Sequence, residues 1–292
     1  MTRTLLPVPK ALDALVELLD LEPIEVNIFR GLSPDENRQR VFGGQVAGQA
    51  LVAAARTVGD DRAVHSLHAY FLRPGDPTVP ILYEVDRARD GRSFTTRRVV
   101  AIQHGRPIFN LSASFQVAET GFDHQAPMPP APPPESVPTF TERFADRAEE
   151  WGDWFHRPRP IDMRYVDDED ADAVASMPGG GRRLVWFRAD GELPDDPLLH
   201  ACVVTYASDM TLLDTTLVPH GLRAQEGRVM MASLDHAMWF HRPFRADEWL
   251  LYAQGTPSAS GGRGLGWGGI FTRDGALAVS VVQEGLIRPI PE

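Results

Sequence analysis

The sequence predicts an α+β protein made of two copies of one unit, each a helix wrapped by an antiparallel β-sheet. Three observations carry this reading. An alanine-rich segment without acidic residues, 42–56, reads as a helix buried on most sides. Four strand-like runs separated by turn signals follow it, which is the pattern of an antiparallel meander. The pattern then restarts after Arg183: HAYFLRP at 68–74 is echoed by HAMWFHRP at 236–243. Each echo is followed about 48 residues later by a strand-borne glutamine, Gln116 or Gln283. At roughly 150 residues per domain, 292 residues suit a duplicated unit.

From the N-terminus, Leu12, Leu15, Val16 and Leu19 recur at helical spacing with Asp13, Glu17 and Asp20 between them, so residues 10–21 read as a surface helix. Pro23 ends it, and Ile24, Val26 and Ile28 alternate as in a half-buried strand closed by Gly31. In the buried helix, Gly43, Gly44 and Gly48 each weaken helix propensity by about 1 kcal/mol relative to alanine, which points to close packing. The meander has strands at 65–72, 81–86, 94–104 and 107–118, punctuated by Pro74-Gly75, Asp90-Gly91 and Gly105. A sheet curled round a buried helix is a hotdog arrangement, and two of them make a double hotdog. Residues 125–138 are proline-rich and read as an extended linker. The acidic run 167–170 and the glycine turn 178–181 extend it as solvated surface. The second half is expected to hold strands at 184–188 and 198–206, a short helix from Asp209, and strands at 229–240, 249–256, 264–272 and 276–287. The expected division is a first repeat at 1–124, a linker at 125–182 and a second repeat at 183–292.

Composition narrows the function. A net charge of −11 leaves no basic face for nucleic acid. Of 29 basic residues only Lys10 is lysine, so any phosphate is to be met by guanidinium groups. The single Cys202 sits among apolar neighbours and reads as a small buried hydrophobe in a reducing, cytoplasmic setting. No apolar run reaches the roughly 18 residues of a membrane span, so no membrane insertion is expected. There is no Gly-x-Ser-x-Gly elbow, Walker loop, dinucleotide fingerprint or His-Glu-x-x-His pair. His65 and His68, like His236 and His241, are spaced so that a regular strand points them to opposite faces, which argues against a metal site. No cofactor is expected.

The segment HACVVTYASDM at 200–210 is the centre of the chemistry, where an apolar strand-like run meets Asp209. Standing at the start of a new element, Asp209 can equally be a helix N-cap. Gln283 shares a strand face with Val279 and Val281, so its amide needs buried partners. Ser233 shares one with Met231 and Asp235.

The runs VFGGQVAGQA at 41–50, HSLHAYFLRPG at 65–75, YASD at 206–209, LDHAMWFH at 234–241 and VQEG at 282–285 resemble the acyl-CoA thioesterase II family over almost the whole chain. The resemblance implies a double-hotdog fold, a homo-oligomer and hydrolysis of a fatty acyl-CoA to free acid and coenzyme A. It also implies that Asp209, Ser233 and Gln283 bind and activate the hydrolytic water. Some relatives carry threonine in the place of Ser233, and the hydroxyl is common to both. Gly44, opening the first-half helix, is the candidate oxyanion donor, because a residue without a side chain lets a thioester approach its N–H. Two alternatives stand beside this: a hotdog hydratase or dehydratase on the same substrate, and a non-catalytic acyl-CoA-binding module.

Overall fold

The computed structural model describes residues 10–34, 39–166, 182–224 and 227–291. The runs 167–170 and 178–181 lie outside them. Helix α1 (Ala11–Leu19) buries Leu12, Leu15 and Leu19 on one side, as its spacing requires. What the alternation suggested as one strand is a hairpin of β1 (Glu22–Glu25) and β2 (Ile28–Gly31). Its turn holds Asn27 at φ 63°, a conformation that asparagine tolerates better than most residues. Helix α2 (Gly43–Ala55) is buried throughout from Gly44 to Ala54. The meander follows as β3 (Arg62–Phe71), β4 (Ile81–Asp90), β5 (Phe94–Gln103) and β6 (Arg106–Val117).

The short helices α3 (Phe140–Arg143), α4 (Ala148–Trp151) and α5 (Asp153–His156) lead to β7 (Ile161–Tyr165) and β8 (Arg182–Ala189). Next comes α6 (Pro197–Ser208), where a strand was expected. An all-round apolar run shows no period, and Val203 and Val204 favour a strand. The helix signals lie just upstream: Asp196 caps the chain by accepting from the Leu198 N–H at 2.9 Å, and Pro197 stands at the first helical position. Asp209 is therefore the C-terminal cap of α6, not the N-cap of a following helix. Behind it come turns and a 3-10 helix, Leu213–His220. The strands β9 (Val229–Ser233), β10 (Asp235–Phe240), β11 (Leu250–Ser260), β12 (Arg263–Thr272) and β13 (Leu277–Pro289) complete the chain.

The strands of the described residues form one antiparallel sheet in the order β1-β2-β4-β5-β6-β3-β10-β13-β12-β11-β8-β7, with β9 on β13. The halves join where β3 pairs with β10, Ala237 opposite His68. Both long helices lie inside the curved sheet and cross each other closely. A Cβ on Gly44 would stand 2.4 Å from the Tyr206 carbonyl oxygen, and one on Gly48 3.3 Å from that of Cys202. These glycines let two backbones touch in a space that wider residues would force apart. This is the fold the sequence predicts, a double hotdog.

Between the halves, the proline-rich stretch is a strap rather than a free spacer. Met128, Ala131 and Val137 pack on Trp186, Leu251 and Phe271, the outer face of the second half-sheet. The Trp186 indole N–H donates to the Pro132 carbonyl at 2.8 Å. Arg273 holds Glu135 by two hydrogen bonds of 2.7 and 3.0 Å. Strand β7, inside the expected linker, pairs with β8 and so extends the second half-sheet.

Register relates the halves residue by residue. The N–H groups of Leu72 and Arg73 both donate to the Ile108 carbonyl, and those of His241 and Arg242 both donate to the Ala278 carbonyl. Ile108 and Ala278 each sit at an irregularity in the ladder. Counting on from them, the counterpart of Gln283 is Ala113, not Gln116, which instead donates to Glu119 at 3.3 Å near the end of β6. Across the ladder Ala113 faces Arg97, whereas Gln283 faces Gly266. The echo in sequence is real, but its two glutamines are not equivalent.

Candidate active site

Three elements bring the predicted residues to one point. The end of α6 supplies Asp209, the end of β9 supplies Ser233, and the inward face of β13 supplies Gln283. The Gln283 side-chain N–H group donates to Asp209 Oδ1 at 2.6 Å and to Ser233 Oγ at 2.8 Å. The Ser233 hydroxyl is oriented toward the same Oδ1 at 3.4 Å. Gln283 is fully buried, while Asp209 and Ser233 keep partial access to solvent.

Glycines make room for this cluster. A side chain on Gly285 would drive into Leu213, the nearest atom being 2.3 Å away, and one on Gly266 would meet the Leu212 carbonyl at 3.1 Å. The segment after Asp209 can therefore lie flat on β12 and β13. It is fixed there by a buried relay in which the Thr215 hydroxyl donates to Gln254 Oε1 at 2.7 Å. The Gln254 amide in turn donates to Thr211.

Two helix ends act on Asp209 in opposite senses. As the cap of α6 it sits at the negative end of that helix, which disfavours a carboxylate. From the other side the first turn of α2 faces it, and the nearby Gly44 N–H favours its ionised form. Gly43 leaves the space for this: a Cβ there would fall 2.6 Å from Asp209 Oδ2 and 2.8 Å from the Phe71 ring. Burial is the largest influence and raises the Asp209 pKa to about 6, against the lowering effect of Gln283, Gly44 and Ser233. Nearby Asp214 adds a further upward push. The result is a carboxylate that is ionised at neutral pH and more basic than a free one, as a general base should be.

Asp235 and His236 are not a pair. Asp235 accepts the Glu284 N–H at 2.7 Å, while His236 points inward, fully buried, with Nε2 2.8 Å from Ser208 Oγ. Burial lowers the His236 pKa to about 4, so the ring is neutral. For three residues of this neighbourhood, Gly43, Ser208 and His236, the sequence suggested no place at the site. His236 was visible in the motif at 234–241, but only its inward orientation reveals that it stands behind Gln283. Among the described residues no cluster of three His, Cys, Asp or Glu side chains could hold a metal ion. No helix among them is long and apolar enough to cross a membrane.

Fold and site together define a double-hotdog protein with a half-buried carboxylate, amide and hydroxyl cluster at the meeting of its two central helices. The family described as acyl-CoA thioesterase matches residues 169–286, and the acyl-CoA thioesterase N-terminal domain matches residues 33–116. Human acyl-coenzyme A thioesterase 8 is 42% identical over 290 residues, 94% of this chain and 89% of that protein. Acyl-CoA thioesterase 2 of Haemophilus influenzae is 41% identical over 281 residues, 95% of this chain and 98% of that one. The crystal structure of an acyl-CoA thioesterase II from Mycobacterium marinum superposes with a TM-score of 0.81 at 49% identity, covering 94% of this chain and 98% of that one. The chain belongs to the acyl-CoA thioesterase family.

Proposed function

We propose that this enzyme hydrolyses fatty acyl-CoA thioesters, with water as the nucleophile and Asp209 as its base. The observation that carries the reading is the fork of Gln283, whose one amide nitrogen bonds both Asp209 and Ser233. A water seated against these groups is held by the Ser233 hydroxyl and the Asp209 carboxylate, both of which the Gln283 amide orients, and its proton faces Asp209. Attack on the thioester carbon forms a tetrahedral oxyanion, and its collapse breaks the carbon–sulfur bond. The coenzyme A thiolate then takes up the proton from Asp209, leaving the free acid.

Oxyanion stabilisation is assigned to the first turn of α2, Gly44 included. The Gly44 N–H, which faces the Asp209 carboxylate, would be shared with the developing charge. Phe42, Phe71 and Tyr206 around Gly43 and Gly44 offer an apolar approach suited to an acyl chain. A hydratase reading needs a histidine poised over the acyl carbons. His236 is sealed behind Gln283, which favours hydrolysis.

Release of free thiol from acyl-CoA, followed with a thiol reagent, tests the reaction. A folded protein that hydrates an enoyl-CoA or only binds acyl-CoA, without releasing thiol, would overturn it. The coenzyme A phosphates call for arginine, so raising the salt concentration should raise KM. An unchanged KM would remove that electrostatic contribution. We further assign the protein to the cytoplasm, supported by its lone buried Cys202, and to a homo-oligomer, supported by the exposed Tyr70, Leu72 and Leu82.

A further inference from the structure

The fork of Gln283 uses both hydrogens of its amide nitrogen, which leaves Oε1 fully buried and without a hydrogen-bond partner. His236 Nδ1 is in the same condition. The two residues belong together: β10 and β13 pair with Ala237 opposite Val282, so the next step along the ladder sets His236 opposite Gln283, both pointing inward. The Gln283 amide indeed favours protonation of the adjacent imidazole, although no hydrogen bond of ordinary geometry is closed between them. Two buried polar groups that face each other and lack other partners are destabilising unless they pair.

We infer that His236, held by Ser208, is a positioning residue that fixes which way the Gln283 carboxamide points. The hydrogen inventory is consistent in one arrangement only. Gln283 Oε1 can only accept, so His236 must carry its proton on Nδ1 and donate it there. Nε2 is then bare and accepts the Ser208 hydroxyl, whose oxygen lies 2.8 Å away. The Thr205 carbonyl at 2.9 Å and Met238 Sδ at 3.5 Å also lie within reach of the Ser208 hydroxyl, but neither would leave Nε2 satisfied. The relay runs Ser208, His236, Gln283, and forks to Asp209 and Ser233.

This matters when Asp209 changes charge. An ionised Asp209 selects the N–H side of the amide by itself. Once it has taken the proton of the water, a neutral carboxyl can bond either end of the amide, and the Gln283 group is free to turn over. The Nδ1–H of His236 opposes that rotation throughout the cycle. The inference rests on the assignment of Asp209, Ser233 and Gln283 as the water-binding set.

The test compares His236→Leu, which removes the donor, with His236→Asn, whose amide can place an N–H where Nδ1 stood. In His236→Leu, kcat should fall by about 10-fold or more with KM little changed. The acid limb of its kcat/KM profile should move to higher pH, because a turned amide no longer donates to Asp209. The other ionisable groups around the network are Asp214 and Tyr252, and both stay in place in either variant. His236→Asn should recover most of the turnover and the original limb, which mere filling of the space would not do. In the unaltered protein, selective 15N labelling of histidine reads the same relay directly and should find the His236 proton on Nδ1. A proton on Nε2, or a folded His236→Leu protein with parental kcat and pH profile, would overturn the inference. If Asp209→Asn also kept parental turnover, the assignment of the water-binding set would have failed. If only His236→Leu did, the relay alone would have failed.

Discussion

At the scale of the residue, the role proposed for Asp209 as base ties activity to instability. Its carboxyl group titrates near 6, against 3.8 for an unburied one. Between those values the native protein holds a proton that the unfolded chain releases, so stability falls as pH rises through this window. At pH 7 the full cost is present, on the order of 3 kcal/mol. Asp209→Asn keeps the shape and removes the charge. It should lower kcat by on the order of 10²-fold or more. The same variant should melt above the parent at pH 7 and lose that advantage below about pH 4. An N-cap role would have left stability nearly unchanged on this substitution, but the structure puts Asp209 at the other end of a helix. For the parent, kcat/KM should drop as pH falls through about 6, because the base is then protonated. Thermal melts and pH-rate profiles of the pair decide both points, and turnover within a few-fold of the parent would remove Asp209 from the chemistry.

At the scale of the element, the site depends on how closely α2 and α6 approach. Alanine at Gly44 would normally strengthen a helix by about 1 kcal/mol. Here its Cβ would lie 2.4 Å from a backbone oxygen of Tyr206, which cannot swing aside as a side-chain end could. Gly44→Ala should therefore destabilise the fold by about 1–3 kcal/mol and lower turnover by moving the first turn of α2 away from Asp209. A higher melting temperature in Gly44→Ala would show that the helices have slack. Legibility in the sequence divides along the same line. The amphipathic α1, the buried α2 and the alternating strands were readable, because each exposes a period or an interruption. Helix α6 was not, because a helix buried all round shows no period and its two signals, Asp196 and Pro197, precede the segment. Asp209, Ser233 and Gln283 were legible as a set through the family likeness. The contacts of Gly43, Ser208 and His236 depend on register between strands far apart in the chain, which local pattern does not carry.

At the scale of the whole molecule, the two halves share a ladder but only one holds the carboxylate, hydroxyl and amide. Where the second half has Gln283 opposite Gly266, the first has Ala113 opposite Arg97. Arg97 is almost fully buried and bound within its own half. Its guanidinium donates to the Thr57 hydroxyl at 2.8 Å, the Thr57 carbonyl at 2.9 Å and Asp90 at 2.6 Å. A buried, fully committed guanidinium is a structural plug and offers no group that could take a proton from water, whereas in the second half Gly266 at the matching position lets the Leu212 segment lie against the strand. The first half also contributes to the remaining site, since Gly43, Gly44 and Phe71 stand against Asp209. On the proposed assignment of Asp209, Ser233 and Gln283, duplication leaves one site per chain among the described residues, built from both halves, rather than one site in each. Calorimetric titration with a non-hydrolysable thioether analogue of acyl-CoA should saturate at one equivalent per chain, and Gln283→Ala should abolish turnover without exposing a residual second activity. Two equivalents per chain, or a residual rate that Arg97→Leu removes, would mean that the Arg97 half binds and works on substrate too.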